Sequence, residues 1–538
     1  MRKNYWKKLL VSMTLVASML VGVAGCGSDT TDDGQGSNGG NSNVTVEAKE
    51  VFGGYKVTTD NITLTYWHYE DENMATLMAE AFMKMYPNIT VEHKVISDMS
   101  TDLSAAAAAG TMPDVFEGTD SDTALANAYW ADITEYWNAD PENKNLMATI
   151  DEYGIGMFDT NRRFAAPMRY WPSAVFIDRN VIEHLNLDMP DTDWTWEEMI
   201  DLIKKATKYD PDMMYYGLGY YNRLDSLYGI AACSPEERAI KGEFGFNGED
   251  FDLSYWAVGE QQFSDLKLQG YVAPQQSTQA MEDWTGNWDT WFGETGHVAV
   301  FSEGFWTYQN LWGNKIDDGS GNMVDYQEHF GLDIVPYVTP NVVDEKEHNV
   351  ISTMYMGGVS TSCEYPLEAY LLLKFMGWGI DGWKSRLEIY KDETIVNTAG
   401  TALKHAQMPV PLTLDTEVWD GYKSLFPQDA DRKPYWDDYF ASITRPVPYG
   451  WYSIAGYWNF CDQYFNSIGI HDLVDNGTAK AADYTEEATR QANYYHAEAM
   501  LGYFGPDSPY AKLGPEYENI LSDEELAKYQ AVVDSFLQ

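Results

Sequence analysis

Cysteine is scarce in this sequence, with four residues in a chain of 538. Cys26 falls in the N-terminal segment read below, and Cys233, Cys363 and Cys461 lie far apart without CxxC spacing. Three dispersed cysteines argue against a disulfide framework and a cysteine-rich metal site, and read as small buried residues. Positive charge is also short: Lys and Arg number 35 against 83 Asp and Glu, a formal net charge of −48. A surface of that sign repels nucleic acid and anionic membrane, so nucleic acid is not an expected partner. Long apolar runs are missing except for Leu9–Val23, which is too short and serine-interrupted to span a bilayer comfortably. Local signatures of common chemistries are missing too: there is no GxSxG elbow, HExxH helix, P-loop, or GxGxxG after a strand. Neither a cofactor nor a metal is expected, and His68 has no companion at metal-binding spacing.

What is present begins at the N-terminus. Arg2, Lys3, Lys7 and Lys8 precede the apolar run, and Val23-Ala24-Gly25-Cys26 follows it. A basic start and an apolar stretch of this length read as an export signal over residues 1–25. Small residues before a cysteine match the bacterial lipobox, so Cys26 is the expected lipidation site and the membrane an expected partner through that anchor. Gly27 to about Asn43 is nearly all Gly, Ser, Asn, Asp, Thr and Gln, which cannot bury enough apolar surface to order itself. Residues 26–55 are therefore expected to be the lipidated cysteine and a flexible tether, placing the body outside the cytoplasm.

The body is rich in aromatics, at 14% of the chain, with 19 Trp and 38 Tyr. Most will be core residues, but the surplus suits sugar recognition, because a pyranose offers an apolar C–H face to a ring and a rim of hydroxyls to polar groups. Ile62 to Trp67 alternates as a strand. Glu72 to Tyr86 has helical period, with Met74, Leu77, Met78, Ala81, Phe82 and Met85 on one side and Pro87 beyond its end. Ile89–Glu92, Asp102–Ala109 and Pro113–Phe116 continue as strand, helix and strand. Alternation of this kind predicts an α/β parallel sheet with ligand chemistry at the strand C-terminal ends. Trp67 and His68, and then Thr119-Asp120, stand at two such ends. Trp284, Trp288 and Trp291 recur at helical spacing and read as one helix face, with core packing the stronger reading over a cleft rim.

An ordered series of short segments runs through the chain: Trp67 at a strand end, Phe82 with Pro87-Asn88-Ile89, Gly110-Thr111-Met112-Pro113-Asp114-Val115, Leu125-Ala126, Trp130-Ala131-Asp132-Ile133-Thr134, Ala166-Pro167, Ala174 to Asn180, Trp194-Thr195-Trp196-Glu197-Glu198-Met199 and Gly296 to Trp306. In that series the chain resembles the family 1 extracellular solute-binding proteins, the maltose-binding-protein-like receptors of ABC sugar importers. The resemblance implies a two-lobed type II periplasmic-binding-protein fold with an interlobe ligand cleft. Lobe I would take 60–168 plus 333–400, and lobe II 169–332 plus 401–538. It also implies a monomer that binds a mono- or oligosaccharide ligand and delivers it to ABC permease subunits.

On that pattern Trp306 is the leading ligand contact, since the family places a ring-stacking tryptophan there and Gly304 lets the backbone turn. Asp120 stands where the family has a hydroxyl-binding acid, although a helix N-cap is an equal reading. Trp67 and His68 end the first strand, where the family has ligand contacts. Arg169 and Trp171 occupy a predicted lobe crossing at which the family often supplies an acid. Arg169 could bind hydroxyls, meet a uronate carboxylate, or form a structural salt bridge. Trp451, after the proline-spaced loop Arg445 to Gly450, completes the set. A secreted glycosidase or lyase is the main rival function, but with so many acids a neighbouring pair in sequence carries no information. A surface adhesin fits the anchor and not the alternating strands and helices.

Overall fold

The structure is a computed structural model that describes residues 48–538 apart from 119–120, 148–149, 151–160, 221–233, 235, 238–239, 241–244, 308–310, 313–314, 341–349, 406–407, 445, 449–453 and 519. The signal segment, Cys26 and the Gly/Ser tether lie outside the described residues, as does Cys233. Strand β1 (Ile62–His68) leads to helix α1 (Glu72–Met85), β2 (Ile89–Val95), α2 (Met99–Ala109), β3 (Val115–Glu117) and α3 (Ser121–Ala126). Asp71 starts α1 by accepting from the amides of Asn73 and Met74, and the helix buries Met74, Ala75, Met78, Ala79 and Phe82. Asp98 caps α2, and Gly110 ends it in the left-handed conformation at φ 68°. The strand–helix alternation read from the sequence is thus realised, with β2 and β3 both parallel to β1.

The thirteen-residue β4 (Ala166–Asp178) comes next and is buried throughout. It is followed by α4 (Trp196–Ala206), β5 (Lys208–Asp210), β6 (Met213–Leu218), α5 (Ser254–Leu268) and β7 (Val298–Gly304). Thr195 and Glu198 form a reciprocal capping box at the start of α4, as the Thr-Trp-Glu-Glu segment suggests. A small hairpin, β8 (Lys315–Asp317) and β9 (Met323–Asp325), precedes β10 (Ile334–Tyr337) and β11 (Val350–Val359). Then come α6 (Pro366–Met376), α7 (Ile380–Lys391), β12 (Pro446–Pro448) and α8 (Thr485–Phe504).

Sheet order is β2-β1-β3-β11-β4-β7-β6-β5, with β10 on β4 and β12 on β11. Strand β4 belongs to both lobes. Its first half pairs antiparallel with β11, from Ala166–Gly357 to Pro172–Ser352. Its second half pairs with β7, from Ser173–Gly304 to Ile177–Val300, and with β10. The change of partner falls at Pro172, a residue with no N–H to give to a ladder. The fold is therefore the expected two-lobed α/β architecture, and β4 is the crossing. Leu64, Tyr66, Met78, Phe82, Leu103 and Leu372 sit in the first core, and Val175, Ile177, Met199, Ile203, Leu218 and Val300 in the second. A third holds Phe246, Phe251, Phe460, Phe465 and Ile470. Helix α8 serves two of them, placing Ala488 and Ala492 in the third core and Ala497, Met500 and Phe504 in the first.

Several expectations differ from what is observed. The return to lobe I does not come at 333, because Ile334–Tyr337 still pairs with Val175–Asp178; β11 makes the return. Residues just beyond 400 side with lobe I, since Thr413 bridges Leu146 and the Met147 amide donates to the Leu412 carbonyl at 3.0 Å. Trp284, Trp288 and Trp291 do not share a helix: Gln279–Thr285 ends at Gly286, whose φ of 78° turns the chain. The tether does not reach 55 either. Val51, Phe52 and Tyr55 pack on the first core, Glu50 bridges Lys56, and Phe52 meets Tyr370 edge-on with centroids 5.5 Å apart. Because that ring is half-buried, Phe52→Ala is expected to lower unfolding free energy by about 1–2 kcal/mol in denaturant titration. An unchanged midpoint would return residues 48–57 to the tether.

Candidate functional site

The candidate site is built on the strand that both lobes share. Successive side chains of β4 alternate between faces. Met168 and Tyr170 enter the first core, where the Tyr170 hydroxyl donates to the Ile443 carbonyl at 2.8 Å. Arg169, Trp171 and Ser173 therefore share the other face, spread over about 13 Å at the usual strand rise. Their in-register neighbours are Tyr355 beside Arg169, Thr353 beside Trp171, and Gly304 beside Ser173. Trp171 is only 3% exposed yet belongs to none of the three cores. The C-terminal ends of β1, β3 and β7 converge on this strip, the placement expected for a ligand crevice in a mainly parallel α/β lobe.

At the lobe I end the strip is ionic. Arg169 grips Glu117 with both arms of its fork, Nη2 to Oε1 at 2.6 Å and Nε to Oε2 at 3.2 Å. The same Nη2 lies 3.4 Å from Oε2 of Glu70. From α7, Arg386 adds its own fork to Glu70, with Nη2 to Oε2 at 3.1 Å and Nη1 bonded to Oε1. All four side chains are under 9% exposed, so two cations and two anions form a neutral buried quartet. Burial opposes ionisation of Glu70, but Arg169 and Arg386 outweigh it and hold the carboxyl down at about 2.

Glu117 also positions an aromatic. Its Oε1 accepts from the Tyr69 amide at 2.9 Å, and the Tyr69 hydroxyl accepts from the Met99 amide at 3.1 Å. The Tyr69 ring lies on Gly118, where a Cβ would stand 2.0 Å from it, and the φ of 77° there also calls for glycine. Tyr355 stands across from it with ring centroids 6.3 Å apart. At the lobe II end, Trp306 follows Gly304 in a short turn and folds its indole back onto that glycine, 2.2 Å from where a Cβ would be.

The residues singled out from sequence are distributed unevenly over this site. Arg169, Trp171 and Trp306 come together at the crossing. Arg169 takes the salt-bridge role among the three weighed for it. Trp67 is half-buried, with Lys94 Nζ 4.5 Å from its ring centre. His68 is fully buried, stacked on Tyr66 at 4.8 Å, with Nε2 3.1 Å from Nδ1 of His93. Alternation along β1 turns it to the same side as Leu64 and Tyr66, into the lobe. Asp120 and Trp451 lie outside the described residues. Their flanks meet, however: Asp122 Oδ1 accepts from the Gly456 amide at 2.8 Å. Tyr69, Glu70, Glu117, Tyr355 and Arg386 were missed. Tyr69 and Glu70 adjoin His68, and Glu117 adjoins Gly118 at a strand end, so proximity was a usable signal; Arg386 had none.

Removing one member of a buried ion pair leaves a charge without compensation, at about 3–5 kcal/mol. Arg169→Met should lose stability in that range by denaturant unfolding at pH 7, and adding Glu117→Gln should restore part of it; no loss would show the quartet is not holding the lobe. Burial presses His68 down to about 4, against an ordinary 6.5. His496 is pressed down to about 4 as well, also by burial. Between those values the unfolded imidazole binds a proton that the folded one refuses, so stability falls as pH drops from 6.5 towards 4, by up to about 3 kcal/mol for His68. His68→Gln is expected to flatten that slope, and an unaltered pH profile would count against the burial.

With the geometry in hand, comparison with known proteins gives a consistent picture. No curated protein matches the chain. Solved structures do share its fold. An ABC substrate-binding protein of Listeria monocytogenes, in complex with cycloalternan, is 18% identical with a TM-score of 0.54, over 81% of this chain and 98% of that one. A sugar transporter protein of Rhizobium etli in an open conformation is 15% identical with a TM-score of 0.58, over 80% and 98%. The sugar-binding protein MalE of Xanthomonas citri is 12% identical with a TM-score of 0.56, over 81% and 98%. The model of the bacterial extracellular solute-binding proteins matches residues 69–377, spanning the whole crossing, and the chain belongs to that family.

Proposed function

We propose that this protein is an exported, lipid-anchored receptor that binds a neutral mono- or oligosaccharide between its lobes and hands it to ABC permease subunits, without chemical change to the ligand. The strip Arg169–Trp171–Ser173 carries the reading: one strand brings aromatic and polar groups of both lobes to one face, with Trp306 at its end. Such a surface matches a pyranose, whose C–H face stacks on rings while its rim hydroxyls seek polar partners. A ligand touching both lobes favours the closed state by its differential affinity, and closure is the signal a permease can read. The cycloalternan complex of the Listeria relative, and the sugar-binding description of the Xanthomonas one, support a carbohydrate cargo.

Neutrality follows from charge. Arg169, the cation that could have met a uronate, has its guanidinium engaged by Glu117 and Glu70. The same pairing speaks against a glycosidase at this strip. A general acid needs a raised pKa, whereas Glu70 is drawn down to about 2 and is closed in by arginines.

Thermal denaturation of the purified protein against neutral and uronate-bearing saccharides tests the reading, followed by assay of the same samples for cleavage. A ligand specific to the native state at a hundredfold excess over Kd adds about 2.7 kcal/mol, so a neutral sugar should raise the midpoint by degrees and a uronate should not. No response to any sugar would sink the carbohydrate reading, and cleavage would sink the receptor.

A further inference from the structure

Two serines at the crossing remain to be explained. Ser173 on β4 and Ser302 on β7 are each 1% exposed, and neither hydroxyl has a hydrogen-bond partner among the described residues. Buried polar groups are almost always satisfied, so an adjacent pair of orphans in a native fold asks for a reason. Register supplies their relation. Directly opposed residues of an antiparallel pair share a face, and here Ser173 opposes Gly304 while Val175 opposes Ser302. Ser173, Gly304 and Ser302 thus lie on one face, the two serines as diagonal neighbours about 7–8 Å apart. The Trp306 indole lies against Gly304 on that same face, in the space a side chain would take. An aromatic platform with two unclaimed donor–acceptor groups beside it is the complement of a polyol ring: apolar in the middle, hydroxylated at the rim.

We propose that Ser173 and Ser302 hydrogen-bond rim hydroxyls of the sugar unit that stacks on Trp306, and so select that unit against deoxy or O-methyl analogues. This rests on the carbohydrate reading above. The indole is half-buried and both hydroxyls are covered, so in the proposed complex the ligand's rim reaches the serines beside the ring. A site whose polar groups are satisfied only by the ligand's hydroxyls rejects a ligand lacking them, because the groups are then left buried and unpaired.

The test pairs affinity with stability. In the purified protein, the Ser173→Ala/Ser302→Ala double variant should unfold at the wild-type temperature or slightly above, since it deletes unsatisfied groups. Its affinity for the best neutral sugar should fall about tenfold, and its affinity for the matching deoxy sugar should not change. Wild-type affinity in the double variant overturns the inference and leaves the carbohydrate reading intact. A parallel loss of stability and affinity also overturns it, by making the serines structural. A wild-type protein that binds no sugar at all removes both the reading and the inference.

Discussion

A guanidinium buried where two lobes meet has to be surrounded by carboxylates, because a charge left alone there costs several kcal/mol. Arg169 occupies that place, and much of lobe I around it is arranged to meet the demand. Glu117 comes from the end of β3, Glu70 from the turn after β1, and Arg386 from α7, more than two hundred residues away, to balance the second acid. Three elements that share no local sequence are thereby held in one geometry. Glu117 passes that order on to Tyr69 through the backbone amide, and Gly118 accepts the ring that results.

The crossing strand gives this cluster its functional setting. Because β4 is continuous, lobe I and lobe II are not separate bodies joined by a loose linker; the ladder simply changes partner at Pro172. Side chains on one face of a single strand therefore belong to both lobes. A ligand resting on Arg169's end and Trp306's end would touch each lobe, which is the condition for coupling occupancy to closure. Helix α8 adds a second brace by burying its first half in the third core and its last turns in the first.

The polarity of the strip is graded along its length. Its lobe I end is built of mutually paired arginines and glutamates, so it offers no net charge to a ligand. Its lobe II end has hydroxyls and an indole, which are uncharged and adjustable. Paired charges on one side of a cleft and uncharged contacts on the other suit the solute-binding family to which the chain belongs.

How much of this the sequence determines can be argued residue by residue. Alternation in Ile62–Trp67, the period of Glu72–Tyr86, the capping pair Thr195 and Glu198, and glycines such as Gly110 are local signals, and each appears as the element it implies because its cause lies within a few residues. The acidic balance and the α/β alternation are equally local or additive, and the family resemblance rests on short segments that are themselves local. Long-range pairing is not local. Whether Arg169 faces a ligand or two carboxylates depends on where β3, the β1 turn and α7 end up, and nothing near Arg169 encodes Arg386. His68 looked like a ligand contact because it ends a strand, and only the packing of Tyr66 and His93 against it shows that it is buried. The lobe return at β11 rather than β10 was equally hidden, since either strand has a suitable pattern and hydrogen-bond register alone chooses between them. The sequence by itself determined the elements, the fold class and the acidic, aromatic character of the chain, because these follow from neighbours and sums. Only the tertiary structure decided which charges cancel and which side chains share a face, because those depend on contacts between residues far apart in the chain.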